Sequence, residues 1–219
     1  GEEGRDLALD PEGSGDGEFT QGASVLLPAT PRDLAVANVV DESRRDVIVS
    51  LGDKLSETRV YSNSSKGLNF AETLPFTSRV TVGNMLPGFP GTEIVTAPSS
   101  GAEVSAISVY NLFGFRRGSI QPIVTADVFG GVVGDVAVAD FNDDGLLDIA
   151  AVGYGGIFAD AVISRGISDA GLVVFYAESL EGEIEYTSSI RVDLPDDHNF
   201  ISMDTGDVNG DSLPDVVVC

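Results

Sequence analysis

The stretch that decides the fold reads Asp135-Val-Ala-Val-Ala-Asp140-Phe-Asn142-Asp-Asp144-Gly145-Leu146-Leu-Asp148-Ile-Ala-Ala-Val152. Two short apolar runs flank a polar loop, which is typical of two strands joined by a turn. A second copy reads Ile201-Ser-Met-Asp-Thr-Gly-Asp207-Val-Asn209-Gly-Asp211-Ser-Leu213-Pro-Asp215-Val-Val-Val218. No stretch has a helical period over three turns, so the pattern predicts an all-β protein.

Two weaker copies precede these. One pairs Asp33–Asn38 with Asp46–Val49, and the other pairs Val80–Asn84 with Glu93–Thr96. The loop anchors Asn38, Asn84, Asp140 and Asp207 lie 46, 56 and 67 residues apart, a period typical of propellers, solenoids or arrays. A strand with an aromatic end follows three of the loops, and then an apolar residue behind a glycine, at Tyr61 and Phe70, Tyr110 and Ile120, and Tyr176 and Ile184.

This spacing predicts a β-propeller of four blade-equivalents, because a blade has four strands. Three complete units are assigned to residues 31–77, 78–126 and 127–192. The fourth would be split between the termini, with inner strands in 193–219 and outer strands in 1–30. Residues 5–27 would then lie beside the strands at 201–204 and 215–218. Closure within one chain and closure between neighbouring chains are both compatible with this pattern.

Two of the loops carry oxygen ligands at positions 1, 3, 5 and 9, with a backbone carbonyl at position 7. Hard oxygen ligands at this spacing suit Ca²⁺, so the sequence predicts two calcium sites. The alternative is an acidic turn without metal. An EF-hand is excluded, because position 12 holds no Glu and strands flank both loops. The predicted ligands are Asp140, Asn142, Asp144, Leu146 and Asp148 in the first loop, and Asp207, Asn209, Asp211, Leu213 and Asp215 in the second.

The other two loops are predicted to bind no metal. Ligand positions between Asn38 and Asp46 hold Val40, Glu42 and Arg44, and the segment between Asn84 and Glu93 has no side-chain ligands. The two calcium loops also differ from each other. Gly145 stands at position 6 of the first loop, where Ser212 stands in the second, so we expect the first loop to bind calcium more tightly.

These loops resemble the FG-GAP/VCBS repeat family, the calcium-loop propeller repeats also found in integrin α-subunits. Phe129-Gly130-Gly131 resembles the Phe-Gly of that family, and Val95-Thr96-Ala97-Pro98 resembles its Gly-Ala-Pro. Gly171–Tyr176 resembles the strand that follows. The resemblance implies an extracellular propeller that serves adhesion or ligand binding; some members of the family are carbohydrate lyases.

Composition limits the possible functions. Asp and Glu number 35 against 12 Lys and Arg, a net charge of −23, which excludes a nucleic-acid binder and disfavours anionic lipid. One cysteine, Cys219, and one histidine, His198, cannot form an intrachain disulfide, a Cys or His metal centre or an ordinary triad. No apolar run is long enough to insert into a membrane.

The sequence therefore predicts an extracellular calcium-binding structural or interaction module, without enzymatic activity, whose protein or glycan ligand is unknown. One alternative is a filament subunit that assembles through the split blade. Another is a carbohydrate lyase, which would need a base such as Lys, His or Arg. The turn-like contexts of Lys54, Lys66 and His198 argue against a lyase without excluding Arg, Asp or Glu chemistry. Asn63-Ser64-Ser65 is a glycosylation sequon on a predicted turn.

Overall fold

A computed structural model describes residues 5–8, 24–41, 43–52, 55–75, 77–98, 106–114, 122–127, 132–154, 170–195 and 202–219. These residues form strands and no helix, so the predicted all-β class is confirmed, and nothing described could cross a membrane as a helix. The strands are β1 (Arg5–Ala8), β2 (Ser24–Leu27), β3 (Pro31–Ala37), β4 (Asp46–Leu51), β5 (Glu57–Ser64), β6 (Gly67–Pro75), β7 (Thr77–Gly83), β8 (Glu93–Pro98), β9 (Ala106–Tyr110), β10 (Val124–Asp127), β11 (Val132–Ala139), β12 (Asp148–Tyr154), β13 (Gly171–Leu180), β14 (Glu183–Asp193), β15 (Met203–Gly206) and β16 (Asp215–Val218).

The strands form five antiparallel sheets, none of them closed. Three sheets have four strands each in chain order, namely β3–β6, β7–β10 and β11–β14. The other two are the hairpins β1–β2 and β15–β16. Each four-stranded sheet falls close to one of the units assigned from the repeat. That these sheets are the blades of a propeller stays a prediction.

The five sheets stack face to face in chain order, with an apolar layer between each pair of neighbours. Leu27 packs on Val47 and Val49, joining β1–β2 to the β3–β6 sheet. Ile48 and Val80 belong to the next layer. The third layer contains Val95, Ile107, Val136 and Ile149. The fourth layer contains Val152, Met203, Val216 and Val218. The first strands β3, β7, β11 and β15 contact one another in succession along the stack.

The position of a strand in its sheet explains its sequence. Every residue of β4 and of β8 is buried, because a second strand is covered on both faces by neighbouring sheets. This is why these strands appear as continuous apolar runs instead of alternating. In each four-stranded sheet, a buried aromatic residue of the third strand pairs with a residue of the second strand. These aromatics are Tyr61, Tyr110 and Phe175. The repeat pattern predicts Tyr176 at this position, but the residue found there is its neighbour Phe175.

Polar bridges link successive first strands. The Asp33 carboxylate accepts the backbone N–H of Val80 at 3.0 Å, and the Asp135 carboxylate accepts that of Met203 at 2.9 Å. Between these two bridges, the Arg79 guanidinium donates to the carbonyl of Gly134. The same position in three first strands therefore fixes the register of each sheet against the next.

The two halves of the predicted split blade lie in separate sheets. Leu27 of β2 packs on the β3–β6 sheet, and Met203 of β15 packs on the β11–β14 sheet at the other end of the stack. Pairing of β16 with β1 is not observed among the described strands, so the split blade stays a prediction. Ile120, Ile201 and Phe129–Gly131 lie outside the described residues.

Replacing Ile94 by Ala tests the stacking. Ile94 is fully buried between two sheets, so Ile94→Ala should lower the free energy of unfolding by about 2–5 kcal/mol through lost burial and a cavity. The matched control is Ile123→Ala, at a residue 45% exposed, which we expect to change stability by about 0.5 kcal/mol or less. Equal effects in denaturant unfolding would contradict the layered core.

Candidate metal-binding loops

The first candidate loop joins β11 to β12 and is organised by its own side chains. The Asp140 carboxylate accepts the backbone N–H groups of Asp144 at 3.1 Å and of Gly145 at 2.8 Å. The Asn142 side-chain oxygen accepts the same Asp144 N–H at 3.1 Å. The Asp144 carboxylate accepts the Leu146 N–H at 2.8 Å. The side chains at positions 1, 3 and 5 thus all point into the turn.

The second loop, between β15 and β16, repeats this network. The Asp207 carboxylate accepts the N–H of Asp211 at 3.1 Å and of Ser212 at 2.9 Å. The Asn209 oxygen accepts the Asp211 N–H at 2.8 Å, and Asp211 accepts the N–H of Leu213 at 2.8 Å. Two stretches with the same ligand spacing therefore adopt the same loop.

The predicted ligands come together in each loop. Since one N–H group is shared by the side chains at positions 1 and 3, their oxygens must be close neighbours. In the second loop the Asn209 amide also donates to Asp211 at 3.0 Å and to Asp215 at 3.3 Å. That amide N–H₂ lies between two carboxylates, and in the first loop Asn142 donates to Asp144 at 3.0 Å. These contacts bring the side chains at positions 1, 3 and 5 together in each loop, and that they bind calcium with position 9 stays a prediction.

The backbone is left-handed at positions 4 and 6 of both loops. The first loop has Asp143 at φ 60° and Gly145 at φ 86°, and the second has Gly210 at φ 85° and Ser212 at φ 72°. Each loop thus holds one glycine and one residue with a side chain in this conformation, in opposite order. The sequence-based ranking of the two loops considered only position 6, where Gly145 and Ser212 stand. Asp tolerates a left-handed backbone better than Ser, so the second loop carries more strain.

In each loop, an acid at position 9 begins the second strand and accepts hydrogen bonds from the loop backbone. Asp148 is fully buried, and its carboxylate accepts the N–H of Phe141 at 2.9 Å and of Ala177 in β13 at 2.8 Å. Asp215 is half-buried and accepts the N–H of Val208 at 2.9 Å and of Asn209 at 3.2 Å. Position 9 is therefore a structural position as well as a predicted ligand.

The two loops predicted to bind no metal have the same anchor. Asp46 is buried and accepts the N–H of Val40 at 2.8 Å and of Asn63 in β5 at 3.0 Å. Glu93 is buried and accepts the N–H of Met85 at 2.9 Å and the Asn111 amide at 2.6 Å. Sequence reasoning missed this role. The signal was an acid recurring at the start of all four second strands.

Burial shifts the proton affinity of groups beneath the loops. Burial raises the pKa of Asp148, and the nearby charges of Asp144 and Asp140 add to the rise, while the backbone hydrogen bonds oppose it. Burial also raises the pKa of Glu93. Tyr186 donates its hydroxyl to the Leu147 carbonyl at 3.1 Å, and burial raises its pKa. Burial therefore disfavours the ionised form of Asp148, and a cation bound at the first loop would favour it.

A preformed cluster of three or more acidic, His or Cys side chains suited to a metal is not found in the described part of the chain. The carboxylates instead satisfy backbone N–H groups. An ionised carboxylate offers about four acceptor sites, so oxygens that accept one N–H retain capacity for a cation. Four side-chain oxygen groups and one carbonyl per loop form the hard donor set that Ca²⁺ prefers, so the residues present fit this ion in chemical type.

Four other residues singled out in the sequence can be located or set aside. Asn63 is the next-to-last residue of strand β5 instead of lying on the predicted turn, which is formed by Ser65 and Lys66. Lys66 is exposed on that turn. Lys54 and His198 lie outside the described residues. Of these three candidate bases only Lys66 lies in the described part of the chain, and the lyase stays an alternative.

Comparison with models of known protein families gives no match, and comparison with curated proteins gives none either. The resemblance to FG-GAP/VCBS repeats therefore stays a prediction from the sequence of the loops and their flanking strands.

Replacing Ser212 by Gly tests the backbone strain of the second loop. Nothing lies within 4 Å of a side chain added at Gly145 or Gly210, so the left-handed backbone alone decides the outcome at these positions. Ser212→Gly should raise the free energy of unfolding by about 1 kcal/mol in EDTA. Asp143→Gly should raise the free energy of unfolding by a smaller amount, and Gly210→Ala should lower it. Denaturant unfolding measures all three, and a loss from Ser212→Gly would contradict the account.

Proposed function

We propose that this protein is an extracellular calcium-binding β-propeller of the FG-GAP/VCBS type that serves as a structural or interaction module. The observation that carries the proposal is the duplicated loop, in which two stretches with the same oxygen donors share one network of hydrogen bonds. An acidic turn without function would not need both the spacing and the network to recur.

The residues that would hold calcium are the same in kind in the two loops. Asp140, Asp144 and Asp148 would supply carboxylate oxygens in the first, together with the Asn142 side-chain oxygen and the Leu146 carbonyl. Asp207, Asn209, Asp211, Leu213 and Asp215 would do so in the second. Calcium would neutralise three carboxylates that otherwise lie together at one turn.

An extracellular location is supported by the exposure of the ligands. The side chains of Asp144 and Asp211 are exposed, so water competes for the ion at both loops. Sites of extracellular modules bind calcium at about 10⁻⁴–10⁻³ M, and only the extracellular space maintains such a concentration. The net charge of −23 would also keep such a protein soluble in that space.

A structural or interaction role is supported by the position of the loops. Both connect the first strand of a sheet to the second, so each ion would fasten the first two strands of its own sheet at an equivalent connection. The adjacent loops at 38–46 and 84–93 lie at the equivalent connections, and they vary in sequence while their anchoring acids persist. Variable loops on a rigid sheet are the usual place for recognition.

Calcium should stabilise the protein through two sites. Binding to the native state alone adds about 2.7 kcal/mol per site at a hundredfold excess over Kd, so thermal melts in calcium should lie several degrees above melts in EDTA. Calorimetric titration should give two ions per chain. The Asp140→Ala and Asp207→Ala variants should each retain one, whereas Glu183→Gln, at an exposed residue in β14, should retain both. Identical melts with and without calcium would contradict the proposal.

The first loop should bind calcium more tightly than the second. Ser212 carries more backbone strain than Asp143, and the Asp143 charge beside the first loop attracts the ion. In separate titrations, Asp211→Ala leaves only the first loop and should retain the tighter site. Asp144→Ala leaves only the second and should retain the weaker one. The reverse order would contradict the ranking.

A further inference from the structure

We propose that Tyr186 and Gly83, which lie outside the first candidate loop, are positioning residues for that loop, and that both act through Leu147. The inference rests on the proposed function, because it concerns the affinity of the first loop for calcium. Leu147 stands at position 8 of the loop, between the proposed ligands Leu146 and Asp148. Its backbone therefore helps to set the direction of the donor on each side.

The first contact is a hydrogen bond from the outer strand of the same sheet. Tyr186 in β14 donates its hydroxyl to the backbone carbonyl of Leu147 at 3.1 Å. The tyrosine is buried in the apolar layer between the β7–β10 and β11–β14 sheets, so packing fixes the position of the hydroxyl. The Leu147 carbonyl shares one peptide plane with the N–H of Asp148. The hydroxyl therefore orients the peptide that leads into the ligand at position 9.

The second contact is a close approach by the neighbouring sheet. Gly83 ends β7, and a methyl group added there would lie 2.9 Å from the Val138 side chain and 3.0 Å from that of Leu147. Carbon atoms in ordinary contact are about 3.5–4.0 Å apart, so a side chain at Gly83 would displace Leu147. The backbone of Gly83 is not left-handed, so the lack of space alone explains the need for glycine.

The two contacts meet in one apolar layer. Leu146 and Leu147 are partly buried and pack on the layer that contains Met85 and Leu86, from the loop after β7. Met85 is fully buried, and its N–H donates to the anchoring carboxylate of Glu93 at 2.9 Å. The first candidate loop therefore packs on an anchored loop of the preceding sheet, and its conformation depends on both sheets.

The second candidate loop provides an internal control. Pro214 stands at its position 8, where the first loop has Leu147. Tyr186 lies on the face of its sheet that packs on β7–β10, whereas the β15–β16 hairpin packs on the opposite face. We therefore expect changes at Tyr186 and Gly83 to leave the affinity of the second loop unchanged.

The size of the effect follows from the fraction of molecules whose loop is ready to bind. When a positioning contact is lost, this fraction falls and the apparent Kd rises in inverse proportion. Loss of one hydrogen bond changes such an equilibrium by about two- to tenfold. The coupling is reciprocal, so calcium in the first loop should also strengthen its contact with the preceding sheet. The N–H of Met85 should then exchange more slowly with solvent.

Calorimetric calcium titration of the full chain tests the role of Tyr186. In an Asp207→Ala background, which keeps only the first site, Tyr186→Phe should raise Kd by about two- to tenfold. Tyr110→Phe is the matched control, because it removes the hydroxyl of a buried tyrosine in the layer between the β3–β6 and β7–β10 sheets, and it should leave Kd unchanged. In an Asp140→Ala background, which keeps only the second site, Tyr186→Phe should have no effect. A purely structural tyrosine would lower the melting temperature without this difference between the sites.

A double-mutant cycle tests whether Gly83 acts through Leu147. In the Asp207→Ala background, Gly83→Ala should raise Kd, and it should change Kd little once Leu147 is also replaced by Ala, because the added methyl group then has room. If Gly83→Ala does not fold, hydrogen exchange replaces the cycle. Calcium should slow exchange of the Met85 N–H in the wild type and leave it unchanged in Asp140→Ala.

Three outcomes would overturn the inference while the proposed function stands. They are a wild type that binds two ions with a first-site Kd that Tyr186→Phe leaves unchanged, equal weakening of both sites by Tyr186→Phe, and additive effects of Gly83→Ala and Leu147→Ala. In the exchange experiment, a Met85 N–H that does not respond to calcium bound by the wild type has the same meaning as additivity. A wild type that binds no calcium overturns the proposed function and this inference with it.

Discussion

A carboxylate at the start of the second strand is the contact on which each loop of this protein depends. Asp46, Glu93 and Asp148 are buried, and each accepts a loop N–H on one oxygen and a donor from beside or within the third strand on the other. One side chain thus fixes a loop and two strands together. An unmade hydrogen bond at such a buried group costs about 1–3 kcal/mol, so each acid constrains its sheet strongly.

Loops with and without the side chains that are proposed to bind calcium share this anchor. The loops after β3 and β7 have the anchoring acid without the ligand set, so an ion is not required to form the turn. The loops after β11 and β15 add oxygen side chains at positions 1, 3 and 5 above the same anchor. The proposed calcium would act above this anchor by neutralising carboxylates; in the first loop the charges of Asp144 and Asp140 add to the rise in the pKa of Asp148 that burial causes.

Sequence predicted the features that depend on local pattern. Apolar runs around polar loops gave the all-β class and the pairs β3–β4, β7–β8, β11–β12 and β15–β16, because these strands are adjacent in the chain. The role of Asp46 was missed, since its partner Asn63 is brought close only by the third strand. The second strained position was missed as well, because Asp143 looks like any other acid.

The most direct measurement of the anchoring role is the unfolding free energy of Asp46→Asn in EDTA, compared with Asp41→Asn. Asparagine keeps the size of Asp46 but replaces one acceptor oxygen by a donor, so either the loop N–H groups or that of Asn63 lose their acceptor. We expect Asp46→Asn to lose about 1–3 kcal/mol and the amide of Val40 to exchange faster with solvent. Asp41 is exposed and its carboxylate accepts the N–H of Ser43 within the same turn, so its variant should change the free energy of unfolding by about 0.5 kcal/mol or less. Equal stability of the two variants would contradict the account.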